Sequence, residues 1–321
     1  MDTAESYRRF ATIEAHGYSP CYETWCRGIA DDAALLARIE ALPPPKRQPN
    51  LVLGAARYVG ATVSPFPEFR DWFTTNWATI REVVMTHRTQ TNEAGRSAVL
   101  LPAMEPVAHE QVALIEIGAA AGLCLFPDRY SYRYGDIELD PDDGRSSVLL
   151  PCATTGPVPI PKRLPQVIFR AGIDLRPLDV RNPEDMRWLE CLVWPEQHHR
   201  LSRLRDSVAI ARREPPHLLA GDLLETVADL VHSAPQDVPI IVFGAAVLSY
   251  LAPEARARFI ESVRKLPCTW ISYEAPGVVP FDPALLPPTG EAHSRQFILA
   301  RDGEPLAYAG PHGQSIDWPA N

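Results

Sequence analysis

The sequence predicts an α/β protein in which a doubly wound, mainly parallel sheet follows a helical N-terminal region. Three observations predict this fold class. Short apolar segments of β-strand character alternate with helical segments from residue 111 onward, a pattern typical of parallel sheets covered by helices. A turn of glycine and alanine follows the first of these segments, and acidic residues follow later ones. Residues 1–110 instead carry apolar residues at helical spacing.

The composition is that of a folded, acidic protein. The chain has 321 residues, 46% of them apolar, and a net charge of −9; this length suggests about two domains. Because an acidic surface repels phosphate groups, neither nucleic acid nor an anionic membrane is expected as a general partner. No apolar segment approaches the roughly 20 residues that span a bilayer. Residues 1–10 do not resemble a secretory signal, so a cytoplasmic location is expected.

The six cysteines are predicted to be buried thiols. None of them forms a C-x-x-C pair, and a disulfide framework is not expected in a chain without a secretory signal. The adjacent His198 and His199 have the wrong spacing for a metal pair on a helix. No metal site is therefore predicted.

The predicted first domain, residues 1–110, is a helical cap. Helices are predicted at 7–16, 20–30, 31–42 and 66–87. Three prolines at 43–45 end the third helix, because proline lacks an N–H group and clashes with the preceding turn. Asn50 is predicted to cap a further helix.

The predicted second domain, residues 111–321, contains the sheet. After a first strand that ends at Glu116, further strands are predicted at 166–175, 217–222, 238–248 and 268–275. Helices are predicted at 184–193, 197–213, 223–232 and 253–266. Residues 295–310 form a predicted hairpin around Asp302 and Gly303, since Asp-Gly is a favoured two-residue turn.

Residues 128–165 interrupt the alternation of strands and helices. They alternate as antiparallel strands do around an Asp-Gly turn at Gly144, and they are too long for an ordinary connection. We therefore predict an inserted β-hairpin arm. Tyr130, Tyr132 and Tyr134 fall on one face of this arm, where they either stack on a ligand or pack against the helical cap.

The turn after the first strand carries the most specific pattern. Glu116 precedes Gly118 and Gly122, and only alanines, with Ala120 at the centre, separate the two glycines. Such a turn lets a ligand approach the backbone at the carboxyl end of a strand. It resembles the first motif of S-adenosylmethionine-dependent methyltransferases, E/D-x-G-x-G-x-G, with Ala120 in place of the middle glycine. The alternative is a tight helix–strand crossing that needs small side chains.

Two later carboxylates match the same template. Asp174 ends the second predicted strand, where a carboxylate can accept both ribose hydroxyls of a nucleoside. Asp136 fits better the spacing of about 20 residues after a first glycine motif, and it stays the rival for this role. Asp222 ends the third predicted strand and can accept the adenine amino group, or it can serve as a helix N-cap.

Segments spread over almost the whole chain resemble one family, domain of unknown function 2332. They are, in the same order as in that family, 90–103, 115–136, 172–180, 194–204, 221–225 and 247–259. That family looks related to Rossmann-fold methyltransferases that use S-adenosylmethionine. The resemblance implies a Rossmann-like fold here and, at second hand, methyl transfer.

One segment of the resemblance is unusually polar. Gln90, Thr91, Asn92, Glu93 and Arg96 match the family's polar signature. Five polar groups in seven positions are hard to bury without partners. They are predicted to cap a helix and to reach a substrate in a cleft between the domains, or else to form an interdomain hydrogen-bond network.

A second charged segment of the resemblance lies at 194–204. Arg200 and Arg203 are one helical turn apart, so they can pair with Glu196 or with a carboxylate of a substrate. A solvated, salt-bridged helix face is the favoured interpretation.

The predicted function is methyl transfer from S-adenosylmethionine to a small molecule. Sulfur, nitrogen or carbon acceptors need little beyond alignment, whereas a hydroxyl acceptor benefits from a general base, for which Glu274 is the candidate. Tyr250 either shapes the pocket or packs in the core. One alternative is a non-catalytic module that binds a nucleotide-like ligand or a partner. Another is an NAD(P)-dependent enzyme, although the glycine spacing does not match G-x-G-x-x-G.

Overall fold

The computed structural model describes residues 2–106, 111–285 and 296–319. The chain divides into two compact units. The first unit consists of Met1–Thr91 and Arg181–Ser202, and the second of Asn92–Val180 and Arg203–Asn321. The division therefore differs from the predicted boundary near residue 110, because the chain enters the second unit earlier and returns once to the first.

The elements, numbered in chain order, are ten α-helices and eleven strands among the described residues. The helices are α1 (Thr3–Arg9), α2 (Pro20–Asp31), α3 (Ala33–Glu40), α4 (Pro49–Val59), α5 (Phe66–Thr86), α6 (Ser97–Met104), α7 (Pro183–Leu192), α8 (His198–Ala211), α9 (Leu223–Ser233) and α10 (Pro253–Val263). The strands are β1 (Gln111–Ile117), β2 (Ser131–Tyr134), β3 (Ile137–Leu139), β4 (Leu149–Thr155), β5 (Gln166–Asp174), β6 (His217–Ala220), β7 (Ile240–Ala245), β8 (Thr269–Glu274), β9 (Phe297–Arg301), β10 (Glu304–Ala309) and β11 (Ser315–Asp317).

The first unit is helical, as predicted, and local capping fixes its early boundaries. Ser19 Oγ accepts the N–H of Tyr22 at the start of α2, and Asp32 Oδ1 accepts the N–H of Leu35 at the start of α3. These bonds satisfy N–H groups that a helix leaves without an internal partner. The prediction for Asn50 is wrong: α4 begins one residue earlier at Pro49, a residue suited to the first helical position.

Residues 181–202 belong to the first unit because their side chains bind its backbone and side chains. Ser19 Oγ donates to Glu196 Oε2 at 2.6 Å, and the N–H of Cys21 donates to Glu196 Oε1 at 2.8 Å. Trp194 Nε1 donates to Asn50 Oδ1 at 2.9 Å. The expected solvated face is therefore wrong for this segment, and Arg200 is also buried.

The second unit contains one eleven-stranded sheet, in the order β3-β2-β4-β11-β10-β9-β8-β7-β1-β5-β6. β6, β5, β1, β7 and β8 are successive parallel neighbours. Read across the sheet, these strands are the third, second, first, fourth and fifth of the five in the chain. The direction in which successive strands are added therefore reverses between β1 and β7. The five predicted strands are confirmed, and the protein is a mixed α/β protein with a large, mostly parallel sheet.

The main core of this unit lies between the sheet and helices α9 and α10. Ile115 and Ile117 of β1 join this buried cluster, and Val227 and Phe259 join it from the two helices. Successive side chains of a strand point to opposite faces. Glu116, between the two isoleucines, therefore points to the other face of the sheet.

Residues 128–165 extend the sheet instead of forming a separate arm. The hairpin lies between β2 and β3, whereas β2 and β4 pair in parallel, so the predicted hairpin around Gly144 is wrong. The three tyrosines of the segment are buried, and Tyr132 Oη donates to the carbonyl of Pro127. Tyr130 and Tyr134 bind other backbone carbonyls in the same way. These hydroxyls hold the local fold, which leaves no tyrosine face open for stacking on a ligand.

The predicted C-terminal hairpin is confirmed. β9 and β10 pair in antiparallel fashion, and Asp302 and Gly303 both have positive φ angles, as this two-residue turn requires. Arg295, the first residue of the predicted segment, lies outside the described residues.

Candidate functional site

The bend after β1 adopts a left-handed backbone at alternate positions. Gly118, Ala120 and Gly122 have φ angles of 67°, 50° and 70°, a region that glycine enters freely and other residues enter at a cost. A Cβ atom on Gly118 would lie 2.3 Å from Val247 Cγ2, and one on Gly122 would lie 2.8 Å from Pro216 Cγ. Both glycines are thus required by backbone conformation and by close packing.

The chain leaves this bend in a short 3-10 turn, Leu123–Leu125, and not in an α-helix. Asn92 Oδ1 accepts the N–H of Leu123 at 2.8 Å, and so a residue of the polar segment caps this turn. No α-helix follows the bend directly, but the tight packing that the alternative interpretation expects is present at Gly118 and Gly122.

Glu116 lies beneath the bend and is 3% exposed. Burial raises the pKa of its carboxyl well above the ordinary value of 4.5, although the nearby Arg96 guanidinium acts in the opposite direction. Among the described residues, its Oε2 has no hydrogen-bond partner. A buried acceptor without a partner is costly, and Glu274 Oε2 shares this status; the Cys124 thiol also interacts with the Glu116 carboxyl.

Arg96 and Glu93 form a buried charged layer next to Glu116. Arg96 Nε donates to the carbonyl of Pro311 at 3.1 Å, and its Nη1 donates to the carbonyl of Ala245 at 3.0 Å. Glu93 Oε1 accepts from Arg203 Nε at 2.8 Å and from the N–H of Gly95 at 3.1 Å. Glu93 thereby caps a short helical turn, as predicted for this segment.

The polar signature is split between the two units. Asn92, Glu93 and Arg96 belong to the second unit, whereas Gln90 and Thr91 belong to the first. Within the second unit, Asn92 and Glu93 contact the turn after the bend, and Arg96 lies near Glu116.

Asp174 reaches the bend from the end of β5. Its Oδ2 accepts the N–H of Ala120 at 3.0 Å, and its Oδ1 accepts the N–H of Arg176 at 2.8 Å. The rival Asp136 is exposed in the turn between β2 and β3, away from the ends of the five parallel strands in the pairing order. Only Asp174 of these two carboxylates contacts the glycine-alanine bend.

Asp222 follows β6 and caps α9. Its Oδ1 accepts the N–H of Leu224 at 2.9 Å, which is the structural role that the sequence left open for it. Its chain neighbour Gly221 donates its N–H to the carbonyl of Asp174 at 3.0 Å. Glu116, Asp174 and Asp222 thus lie at the carboxyl ends of three adjacent parallel strands, β1, β5 and β6.

Glu274, the candidate base, ends β8 and is 2% exposed. Its Oε1 accepts the N–H groups of Val247 and Leu248 at 2.8 and 2.9 Å. Burial raises the pKa of this carboxyl, and the two N–H bonds lower it by less. One of the two carboxylate oxygens therefore holds the segment after β7 in place. Tyr250 lies in this segment and is 61% exposed.

Sequence reasoning missed the contact of Val247 with Gly118. It also did not predict the partner of Arg203, which pairs with Glu93 and not with Glu196. The side chain of Arg203 is 15% exposed, so the expectation of a solvated salt bridge is wrong for it. Neither contact has a local sequence signal, because each joins elements far apart in the chain.

The chain matches one protein-family model over residues 4–318, nearly its whole length. The model describes an uncharacterized protein conserved in bacteria, DUF2332. No curated protein matches the chain. Within the described ranges, no helix is long and apolar enough to cross a membrane. The same residues contain no group of three or more His, Cys, Asp or Glu side chains arranged to hold a metal ion.

Proposed function

We propose that this chain, which belongs to the DUF2332 family, is a methyltransferase with S-adenosylmethionine as methyl donor and a small molecule as acceptor. One observation carries the proposal: Glu116, Asp174 and Asp222 lie at the carboxyl ends of the adjacent parallel strands β1, β5 and β6, beside a left-handed bend. The five parallel strands have the order of doubly wound sheets of the Rossmann class. In such sheets the ligand lies where the strand order reverses, here between β1 and β7.

The donor and acceptor groups present suit the parts of this cofactor. The unpartnered Oε2 of Glu116 suits the ammonium group of the amino-acid portion, which supplies N–H donors and positive charge. Asp174 ends β5 and accepts the N–H of Ala120 in the bend, and a carboxylate at this place has the acceptor chemistry that ribose hydroxyls require. Asp222 uses Oδ1 as a helix cap, and its second oxygen can accept the adenine amino group.

The bound cofactor supplies an activated methyl group on a sulfonium centre. The task of the chain is then to hold the donor and the acceptor in line, which needs no charged catalyst for a sulfur or nitrogen acceptor. Glu274 Oε1 binds two backbone N–H groups, whereas its Oε2 has no hydrogen-bond partner among the described residues. A sulfur or nitrogen acceptor needs no base, and for a hydroxyl acceptor Glu274 stays the candidate base.

Two alternative functions, an NAD(P)-dependent enzyme and a non-catalytic binder, require different features at the carboxyl ends of the same strands. A dinucleotide places its pyrophosphate at the N-terminus of an α-helix, whereas a 3-10 turn, Leu123–Leu125, follows this bend. This observation argues against NAD or NADP. A non-catalytic binder is favoured by the commitment of Glu274 to the backbone, and it is the second candidate.

Calorimetry with S-adenosylmethionine and S-adenosylhomocysteine tests the proposal. We expect the wild-type protein to bind both and Asp174→Asn to bind at least tenfold more weakly, since the amide offers one acceptor oxygen instead of two. Asp136→Asn is the matched control and leaves the affinity unchanged. Absence of binding to the wild type would refute the cofactor assignment. Binding without any S-adenosylhomocysteine formed from S-adenosylmethionine and a metabolite extract would favour the non-catalytic binder.

A further inference from the structure

The segment that follows β7, residues 246–251, covers the first glycine of the bend. Val247 Cγ2 lies 2.3 Å and Val247 Cβ lies 2.7 Å from the position that a Cβ atom on Gly118 would take. Val247 also packs against the buried cluster beneath α9 and α10. Its side chain therefore fills the space that the glycine leaves at the point where the strand order reverses.

Side chains from two other elements hold this segment in place. Glu274 Oε1 accepts the N–H groups of Val247 and Leu248. Arg256 Nε donates to the carbonyl of Leu248 at 3.0 Å, and its Nη2 donates to the carbonyl of Leu251 at 3.1 Å. Each of these contacts is made to the backbone, so they fix the path of the segment whatever its side chains are.

The same segment also contains a strained backbone conformation, which opposes the effect of these holding contacts. Ala246 has a φ angle of 58°, a left-handed conformation that is unfavourable for a residue with a Cβ atom. Strain of this kind persists only where surrounding contacts hold it. Loss of a holding contact is therefore expected to favour a different path for residues 246–251.

We propose that residues 246–251 are a gate over the adenosyl site, that Val247 closes it, and that Glu274 is the positioning residue that keeps it closed. The arrangement described above is the closed state, in which Val247 occupies the edge of the site at Gly118. An adenosyl ligand binds after Val247 moves away from the bend. This inference rests on the proposed function and adds to it a residue that sets the affinity.

A closed gate has a measurable consequence for binding. When only a fraction of the molecules is competent to bind, the apparent dissociation constant rises by the inverse of that fraction. Val247→Ala removes the atoms that fill the bend and thus increases the open fraction. We expect it to bind S-adenosylhomocysteine about tenfold more tightly than the wild type, a change of about 1.4 kcal/mol.

Val238→Ala is the matched control for this measurement. Val238 is partly buried against the same cluster but precedes β7, so it lies at the opposite end of that strand from Val247. Its truncation removes the same atoms from the core and leaves the affinity for S-adenosylhomocysteine unchanged.

The role of Glu274 in holding the gate closed is tested by two substitutions, of which only one keeps a hydrogen-bond acceptor. Glu274→Ala removes the acceptor and is expected to tighten binding of S-adenosylhomocysteine by severalfold, whereas Glu274→Gln keeps an acceptor oxygen and stays close to the wild type. A purely structural role predicts weaker binding for Glu274→Ala. If Glu274→Ala does not fold, Val247→Ala carries the test alone.

Amide hydrogen exchange supplies a readout that needs no ligand. The gate predicts faster exchange at Val247 and Leu248 in the Val247→Ala protein than in the wild type, with unchanged exchange within β7. Equal exchange together with equal affinity in Val247→Ala and wild type overturns the gate while the cofactor assignment stands. If no variant and no wild-type protein binds S-adenosylhomocysteine, the proposed function fails and the gate fails with it.

Discussion

Substitution of Gly118 by alanine should destabilise the second unit for two separable reasons. The φ angle of 67° at Gly118 costs a residue with a Cβ atom about 1–2 kcal/mol. The added Cβ would lie 2.3 Å from Val247 Cγ2, and overpacking of this kind costs about 1–3 kcal/mol. The free energy of unfolding of the second unit should therefore fall by about 2–5 kcal/mol.

Gly135→Ala isolates the first of these terms. Gly135 has a similar φ angle of 57°, but an added Cβ would meet nothing within 4 Å. We expect this control to cost only the conformational term of about 1–2 kcal/mol. The difference between the two variants then measures the overpacking against Val247.

The double variant Gly118→Ala, Val247→Ala tests whether the added Cβ atom at position 118 clashes with the side chain of Val247. Truncation of Val247 removes the overlapping methyl groups, so the double variant should be less destabilised than the sum of the single variants. Urea-dependent amide exchange of β1 and β7 follows the unfolding of this unit alone. A cost for Gly118→Ala equal to that of Gly135→Ala, or additivity within about 0.5 kcal/mol, would refute this account of the bend.

Two further predictions concern buried charge. Folding raises the pKa of Glu116 above its ordinary value of 4.5, so the folded state binds more protons than the unfolded state and wild-type stability falls as the pH rises above that value. Glu116→Gln removes this pH dependence. The stability of the variant relative to the wild type should therefore grow by up to about 1.4 kcal/mol per pH unit. Urea titrations at several pH values that show a constant difference in unfolding free energy between the two proteins would contradict this prediction. Arg170 donates two hydrogen bonds to Asp128 in a pair whose side chains are 5% and 10% exposed. Arg170→Met should cost up to about 3–5 kcal/mol, because it leaves the buried Asp128 with only the more distant Arg129, whose Nε lies 3.5 Å from Oδ2. Adding Asp128→Asn should recover part of that cost in the same denaturation assay.

Local sequence signals were enough to predict the five parallel strands, the C-terminal hairpin and the bend. The five parallel strands, the hairpin at Asp302 and the glycines at 118 and 122 depend on the residue's own backbone preference or on short-range alternation. Such preferences act within a few residues. The positions of the carboxylates at the strand ends followed from the same pattern, since the carboxyl ends of parallel strands share one edge of the sheet.

The partners of those residues could not be predicted, because each is set by contacts between distant segments. Spacing favoured Asp136 and strand context favoured Asp174, and the tertiary structure distinguished them by bringing Asp174 to the N–H of Ala120. The hairpin expected around Gly144 failed because the parallel pairing of β2 with β4 leaves no local signal.

The sequence by itself therefore determined the class of fold, the strand that leads to the bend, and the acidic residues at the sheet edge, because periodicity and backbone preference are properties of neighbouring residues. Only the tertiary structure decided that residues 181–202 join the helical unit, that Glu116 lies buried against Arg96, and that Glu274 binds the backbone after β7. Burial and hydrogen-bond partnership belong to pairs of residues that the fold brings together, and no single stretch of sequence encodes them.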